Sequence, residues 1–367
     1  MMQKPSKNQL YQRQITLKEV GDEGQDLLQK ARILIVGCGG LGSTAAVYLA
    51  ASGVGNIHLI DFDVVSVSNL HRQVFYTLAD VGKSKTACLK KYIESISPFV
   101  KIDTSEITVQ KSNIETLIQN VDIVVDCTDQ LLTKYLLNDA CVLHHKTLVY
   151  GSLYKFDGYV ATFNHELADG KRTANLRDAF LQIPKKLPPT CAETGTLNPI
   201  VGIIALHQAN EVLKIILKKG NLLTDKLFIY NSLCHTTQTI QLQQKFKNDE
   251  ISDAFEKESY TPSNCEITTD HIYKINAQEF WDKMKQKNVV VLSFSGKLPG
   301  NKYNEKVIRI PYFNFDPYRM LIKPTHEYIL ICAKGLLSFD AAIALVEAHP
   351  NLKIYNLENG TESLIDN

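Results

Sequence analysis

Five clusters in the first half of the chain carry residues suited to handling a polyanion. Gly37, Cys38, Gly39, Gly40, Leu41 and Gly42 form a glycine-rich turn between an apolar run and a helical stretch. Gly37 and Gly39 permit a tight turn and close approach of backbone N–H groups to phosphate, Gly42 lets the helix pack, and the helix N-terminus attracts an anion. Asp61 and Asp63 follow about twenty residues on, at the end of the next strand, where a carboxylate accepts hydrogen bonds from ribose hydroxyls. Taken alone, these two clusters fit an NAD-dependent oxidoreductase as well as an ATP-binding protein, and a tight turn without ligand is a third reading. The next two turn the reading toward a triphosphate. Ser68, Asn69, Leu70, His71, Arg72 and Gln73 supply a guanidinium and two amides, and Gly82, Lys83, Ser84 and Lys85 add two ammonium groups. Asp126, Cys127, Thr128 and Asp129 then end a strand with two carboxylates, a way to hold Mg2+ beside phosphates. Each cluster alone also reads as a solvated charged face, and Asp126 as a helix cap; together they read as a nucleotide site.

Such clusters need strands that end at a common edge. Arg32–Val36 reads as a buried strand, Asn56–Ile60 and residues 121–125 as two more, with helical stretches over 83–96 and 131–143. Strand and helix in alternation predict an α/β fold with a doubly wound, mostly parallel Rossmann-like sheet. An amphipathic helix with Leu17, Val20, Leu27 and Leu28 on its apolar positions is expected ahead of the first strand. Residues 165–190, polar with Lys185 and Lys186 flanked by prolines, are expected to form a long mobile crossover loop. Pro199 then opens an apolar helix to Leu217. The turn-rich stretch 244–270 reads as a linker, giving a large domain over 1–243 and a smaller α/β domain over 271–367. A chain of 367 residues exceeds one ordinary core and fits that division.

Composition excludes some partners. Charged residues make up 22% and the formal net charge is +1, which gives no general field for nucleic acid or an anionic membrane. The N-terminus lacks an apolar signal core, and the longest apolar runs, such as 200–206, fall short of the roughly 20 residues that span a bilayer. A soluble cytoplasmic enzyme is expected. The 8 cysteines include no CxxC pair, so reduced and mostly structural thiols are expected.

In their order and spacing, the glycine turn, the Asp61–Asp63 pair, the 68–73 cluster, the 82–85 cluster and the 126–129 cluster resemble the MoeB/ThiF/HesA family, relatives of the ubiquitin-activating enzymes. The resemblance covers about 10–243. It implies an enzyme that binds ATP and Mg2+, adenylates the terminal glycine of a ubiquitin-like carrier ending in Gly-Gly, and releases pyrophosphate. Carried onto this chain, it gives the loop around Gly40 to phosphate, Asp61 to ribose, Asn69, Arg72 and Lys85 to the triphosphate, and Asp129 to magnesium. Arg13, between Gln12 and Gln14, matches an arginine that the family inserts into the partner subunit's site, which implies a homodimer. Gln130 stands where the family usually has Asn, a change that bears on a base or ribose contact. The family's two zinc-binding CxxC pairs have no counterpart, so no structural zinc is expected. Cys191, near the start of a helix whose dipole favours a thiolate, matches a cysteine that in similar enzymes bonds the activated carrier or relays sulfur; the alternative is that it stabilises its loop.

The C-terminal region resembles the rhodaneses over about 272–364. Cys332, Gly335 and Ser338 follow an apolar strand in a Cys-x-x-Gly-x-x-Ser pattern, and residues 356–360 resemble that family's closing turn. Loop N–H groups there could cradle a thiolate or persulfide. Leu337 replaces a common arginine, residues 292–295 lack the expected acidic and arginine pair, and Lys334 is the loop's one cation, so an inactive buried cysteine is the alternative to sulfur transfer. The combined expectation is adenylation of a sulfur carrier with sulfur delivered from a persulfide donor such as a cysteine desulfurase. The carrier's pathway, whether thiamin, molybdenum cofactor or tRNA thiolation, is left open. An NAD-dependent oxidoreductase and a noncatalytic scaffold subunit are the competing readings.

Overall fold

The computed structural model describes residues 5–181, 183, 195–258, 260, 272–294, 304–310, 315, 322–332, 338–339, 341–342, 345–346, 349 and 352–364. The chain divides into two compact units, Met1–Pro262 and Ser263–Asn367.

Apolar alternation builds the first sheet. In β1 (Arg32–Val36), Ile33 and Ile35 enter one core cluster while Leu34 and Val36 enter another, the two-residue period of a strand buried on both faces. β2 (Asn56–Ile60), β3 (Lys101–Ser105), β4 (Ile123–Asp126) and β5 (Thr147–Tyr154) pair in parallel in the order β3-β2-β1-β4-β5. β6 (Asp157–Phe163), β7 (Lys226–Asn231) and β8 (Thr236–Gln241) extend the sheet antiparallel to eight strands. Strand order reverses between β1 and β4, and open α/β sheets leave a ligand crevice at the carboxyl ends of such strands.

Helices cover both faces. α1 (Lys7–Ile15) and α2 (Gly21–Lys30) precede β1. They replace the single expected helix because Gly21, at φ +58°, restarts the helical register. Leu17 and Leu27 are consequently 56% and 43% exposed, while Tyr11 and Leu28 are buried. α3 (Gly40–Ala51) and α4 (Lys85–Ile96) share a core cluster with the 20-residue helix Asn198–Leu217. On the opposite face lie α5 (Ile114–Ile118), α6 (Leu131–Leu143) and α7 (Leu176–Ala179). The helix Asn198–Leu217, here α8, runs where Pro199 and the apolar stretch to Leu217 placed it. Among the described residues it alone has the length and hydropathy to cross a membrane. It packs along α3 and β5, burying Ile200, Val201, Ile204, Ala205 and Val212.

Two expected irregular segments are built into the first unit. Up to Leu181 the expected mobile crossover loop carries defined structure: Glu166 and Arg172 form an isolated bridge, and Thr173 to Asp178 are buried, while 182 and 184–190 lie outside the described residues. Asn175 caps α7 by accepting the Arg177 N–H at 2.8 Å. Residues 244–260, expected as linker, contain α9 (Asn248–Lys257), which packs on α6 through Ile251 and Phe255. Their polarity serves a buried network. Arg177 binds Asp139 through Nε at 2.9 Å and Nη2 at 2.6 Å and reaches Glu258 at 2.8 Å, while Tyr260 also donates to Asp139.

In the second unit, β9 (Ile272–Ile275), β10 (Val289–Ser293), β11 (Val307–Arg309), β12 (Glu327–Ile331) and β13 (Ile354–Leu357) form a parallel sheet in the order β11-β10-β12-β13-β9. α10 (Ala277–Met284) is capped by Asn276 and buries Phe280 and Met284.

Candidate functional site

The glycine turn leaves β1 and enters α3 at the β1/β4 reversal. Gly37 has φ +90°, and a Cβ there would lie 2.7 Å from the Cys127 carbonyl oxygen, so this backbone needs glycine. A Cβ on Gly42 would overlap the Gly37 carbonyl, which explains the close packing of α3 on the turn. Gly39 caps α3 and Gly40 begins it. The turn is held from two sides: Asp61 Oδ2 accepts the Cys38 N–H at 2.6 Å, and Tyr76 donates its hydroxyl to the Cys38 carbonyl at 2.7 Å. Burial, with Asp61 beside it, pushes the Cys38 thiol well up, so this cysteine stays protonated and packs.

The predicted phosphate-handling residues follow on the stretch joining β2 to α4. Val67–Asn69 forms a short 3-10 turn, and the Arg72 and Gln73 N–H groups donate to the Asn69 carbonyl. Arg72 donates to the Ser68 carbonyl at 3.1 Å and has no carboxylate partner among the described residues. Gln73 is buried beside Gly39, and its Oε1 has no hydrogen-bond partner among the described residues. Such an orphaned acceptor suits a ligand donor at the turn. Lys85 begins α4 and forms an ion pair with Asp63 at 2.7 Å.

At the end of β4 the two predicted carboxylates part company. Asp126 is fully buried and committed: Oδ1 accepts the N–H and hydroxyl of Thr128 at 3.0 and 2.7 Å, and Oδ2 pairs with Lys134 at 3.1 Å. Asp129 is exposed with no ion pair among the described residues, and Gln130 forms the N-cap of α6. Asp129 is therefore the carboxylate available to a hard cation, which binds phosphates and one or two carboxylates. Sequence reasoning missed the residues that hold this turn. Lys134 also donates to the Gly151 carbonyl at 2.8 Å, and Gln208 on α8 donates to the Asp126 carbonyl at 2.8 Å. A lone lysine within the apolar run of α6 was the available signal.

Residues 11–251 match the ThiF family. The chain belongs to the ThiF family. A probable adenylyltransferase/sulfurtransferase MoeZ of Mycobacterium tuberculosis is 36% identical over 261 residues, covering 71% of this chain and 65% of that protein. The match thus spans less than two thirds of the relative's length. A sulfur carrier protein adenylyltransferase of Thermus thermophilus is 39% identical over 227 residues, 61% of this chain and 83% of that protein. A crystal structure of E. coli MccB has the same fold, with a TM-score of 0.56 at 23% identity over 66% of this chain and 71% of that one.

The ThiF match takes in every predicted residue of the nucleotide site, including Arg13, which is exposed in the last turn of α1. Cys191 falls outside the described residues, as does Cys265. No group of three or more His, Cys, Asp or Glu side chains is positioned for a metal among the described residues. Cys332, beyond the ThiF match, sits at the carboxyl end of β12 and is 3% exposed. Its sulfur accepts from the Ser338 N–H and hydroxyl, both at 3.4 Å, and the Thr361 N–H donates to its carbonyl at 2.8 Å. Lys334 and Leu337, in the predicted loop, lie outside the described residues.

Proposed function

We propose that this chain adenylates the C-terminal carboxylate of a small ubiquitin-like sulfur carrier ending in Gly-Gly and takes part in converting it to a thiocarboxylate. The observation that carries this reading is the gathering of Gly37–Gly42, Asp61, Arg72, Lys85 and Asp129 around the β1/β4 reversal in a ThiF family member. Relatives named as sulfur carrier adenylyltransferases give the substrate class.

The chemistry brings two anions together. A carboxylate oxygen of the carrier attacks the α-phosphorus of ATP, a P–O bond to the β-phosphate breaks, and pyrophosphate leaves. No side-chain nucleophile is required; the enzyme positions and neutralises. The glycine turn offers N–H groups to phosphate, Asp61 accepts from ribose hydroxyls, and Asn69, Arg72 and Lys85 hold the triphosphate. Asp129 would hold Mg2+, which when bound neutralises the charge that develops on the departing pyrophosphate. Arg13 would complete the site of a second copy in a homodimer. In the second unit, Cys332 would accept a persulfide sulfur, its thiolate steadied by two donors from Ser338.

Carrier-dependent exchange of labelled pyrophosphate into ATP tests the reading, since neither an NAD-dependent oxidoreductase nor a scaffold subunit catalyses it. Asp129→Ala and Arg13→Ala should each abolish exchange with little change in unfolding temperature. Mixing the two variants should restore part of the activity in heterodimers; no recovery after verified subunit exchange would refute the shared site.

A further inference from the structure

We infer that Asp63 is a positioning residue for Lys85 and not a ribose ligand, an inference that rests on the adenylation reading above. Spacing alone gives both Asp61 and Asp63 to the ribose; the geometry separates them. Asp61 faces the glycine turn, with Oδ2 on the Cys38 N–H at 2.6 Å and Oδ1 on the Asp63 N–H at 2.8 Å. Asp63 faces the other way. Its Oδ2 accepts from Lys85 Nζ at 2.7 Å, and its backbone carbonyl accepts the Lys85 N–H at 3.1 Å. Two bonds therefore clamp the first residue of α4 to the end of the β2 segment.

The burial of the pair is lopsided. The Lys85 side chain is 6% exposed and that of Asp63 54%. A cation shielded to that degree needs a close anion in place of water, and among the described residues Asp63 is the one carboxylate paired with it. A lysine carries three N–H donors. With one on Asp63, the others are free to meet phosphate oxygens from a fixed point. The bonds run in series from the Cys38 N–H through Asp61 and Asp63 to Lys85, so the phosphate-binding turn and its cation are held as one body. A flexible four-carbon side chain becomes a fixed charge by this route.

Asp63→Asn keeps the shape and one acceptor oxygen but removes the counter-charge. In the full-length protein, kcat for carrier-dependent exchange should fall about 10- to 100-fold, the effect of a displaced catalytic group. KM for ATP should not rise, because the lost charge no longer repels the triphosphate. The ratio of Kd values for ATP and 2′-deoxy-ATP, measured by calorimetry, should match that of the unmodified protein, whereas Asp61→Asn should change it. Asp63→Asn added to Lys85→Met should cost less than about twofold more, as coupled residues do. Asp63→Glu, which keeps the charge, should recover part of kcat, and it carries the same comparison if Asp63→Asn does not fold. Loss of discrimination between the two nucleotides in the Asp63 variant, or effects of Asp63→Asn and Lys85→Met that multiply, would overturn the inference. Absence of carrier-dependent exchange in the unmodified protein would sink the adenylation reading instead, and the nucleotide-binding comparison would still decide what Asp63 touches.

Discussion

Lys134 illustrates how burial sorts residues that look alike in sequence. Its ammonium pairs with Asp126, donates to the Gly151 carbonyl and lies 4.9 Å from the centre of the Tyr150 ring, with the Lys134 side chain 3% exposed and that of Asp126 0%. Removing one member of a buried pair leaves the other charge uncompensated, so Lys134→Met should cost about 3–5 kcal/mol in urea unfolding. Asp126→Asn combined with Lys134→Met should recover much of that loss; a double variant as unstable as the single would show that hydrogen bonding, not charge, dominates. The residue pattern offered both Asp126 and Asp129 as carboxylates for Mg2+, and only the family resemblance singled out Asp129. Asp126 is taken up by Thr128 and Lys134, and Lys134 and the Asp126 backbone are held in turn by Gly151 and Gln208, neighbours far along the chain whose approach no local spacing reveals. The glycine turn was legible because its constraint is local: Gly37 needs a positive φ, and Gly42 must fit against the turn's own carbonyl.

At the scale of elements, apolar periodicity was read well and polar segments were not. β1, β2, α4 and α6 lie close to where alternation and helical spacing put them, since each must bury a face. Residues 165–181 and 244–260 carry few large apolar side chains, and their order comes from polar groups that satisfy one another. Asp178 accepts the Lys245 and Phe246 N–H groups at 2.6 and 3.0 Å, and Arg177 joins Asp139 to Glu258. Such a network has no sequence period. If α9 is part of the first unit's core, Phe255→Ala should destabilise it by about 3–5 kcal/mol. Tyr260→Phe should cost about 1–3 kcal/mol by removing a donor from buried Asp139. A true linker would give changes within about 0.5 kcal/mol for both. Equilibrium unfolding followed by far-ultraviolet circular dichroism distinguishes the cases.

At the scale of the whole molecule, the described cores fall into two sets. Two apolar clusters draw on residues up to Tyr260, and two others begin at Ile272 or Ile275. Separate cores predict separate unfolding steps. Ile329 is fully buried in β12, and Ile329→Ala should cost about 2–5 kcal/mol, lowering one calorimetric transition while leaving the other in place. Carrier-dependent pyrophosphate exchange, measured below both transitions, should be unchanged, because every residue assigned to that step lies before Pro262. The same division sets the expectation for Cys332. Adenylation uses the carrier's own carboxylate as nucleophile, so Cys332→Ser should retain exchange in full. Sulfur transfer needs a thiolate that can hold a terminal sulfur and release it. With Ser338 donating twice to Cys332 Sγ, persulfide formed from a protein donor should appear by mass spectrometry on the unmodified chain and be absent from that site in Cys332→Ser, with the yield of carrier thiocarboxylate falling in step. An undiminished thiocarboxylate yield in the variant would assign the second unit a binding or structural part and leave adenylation as the activity of the first.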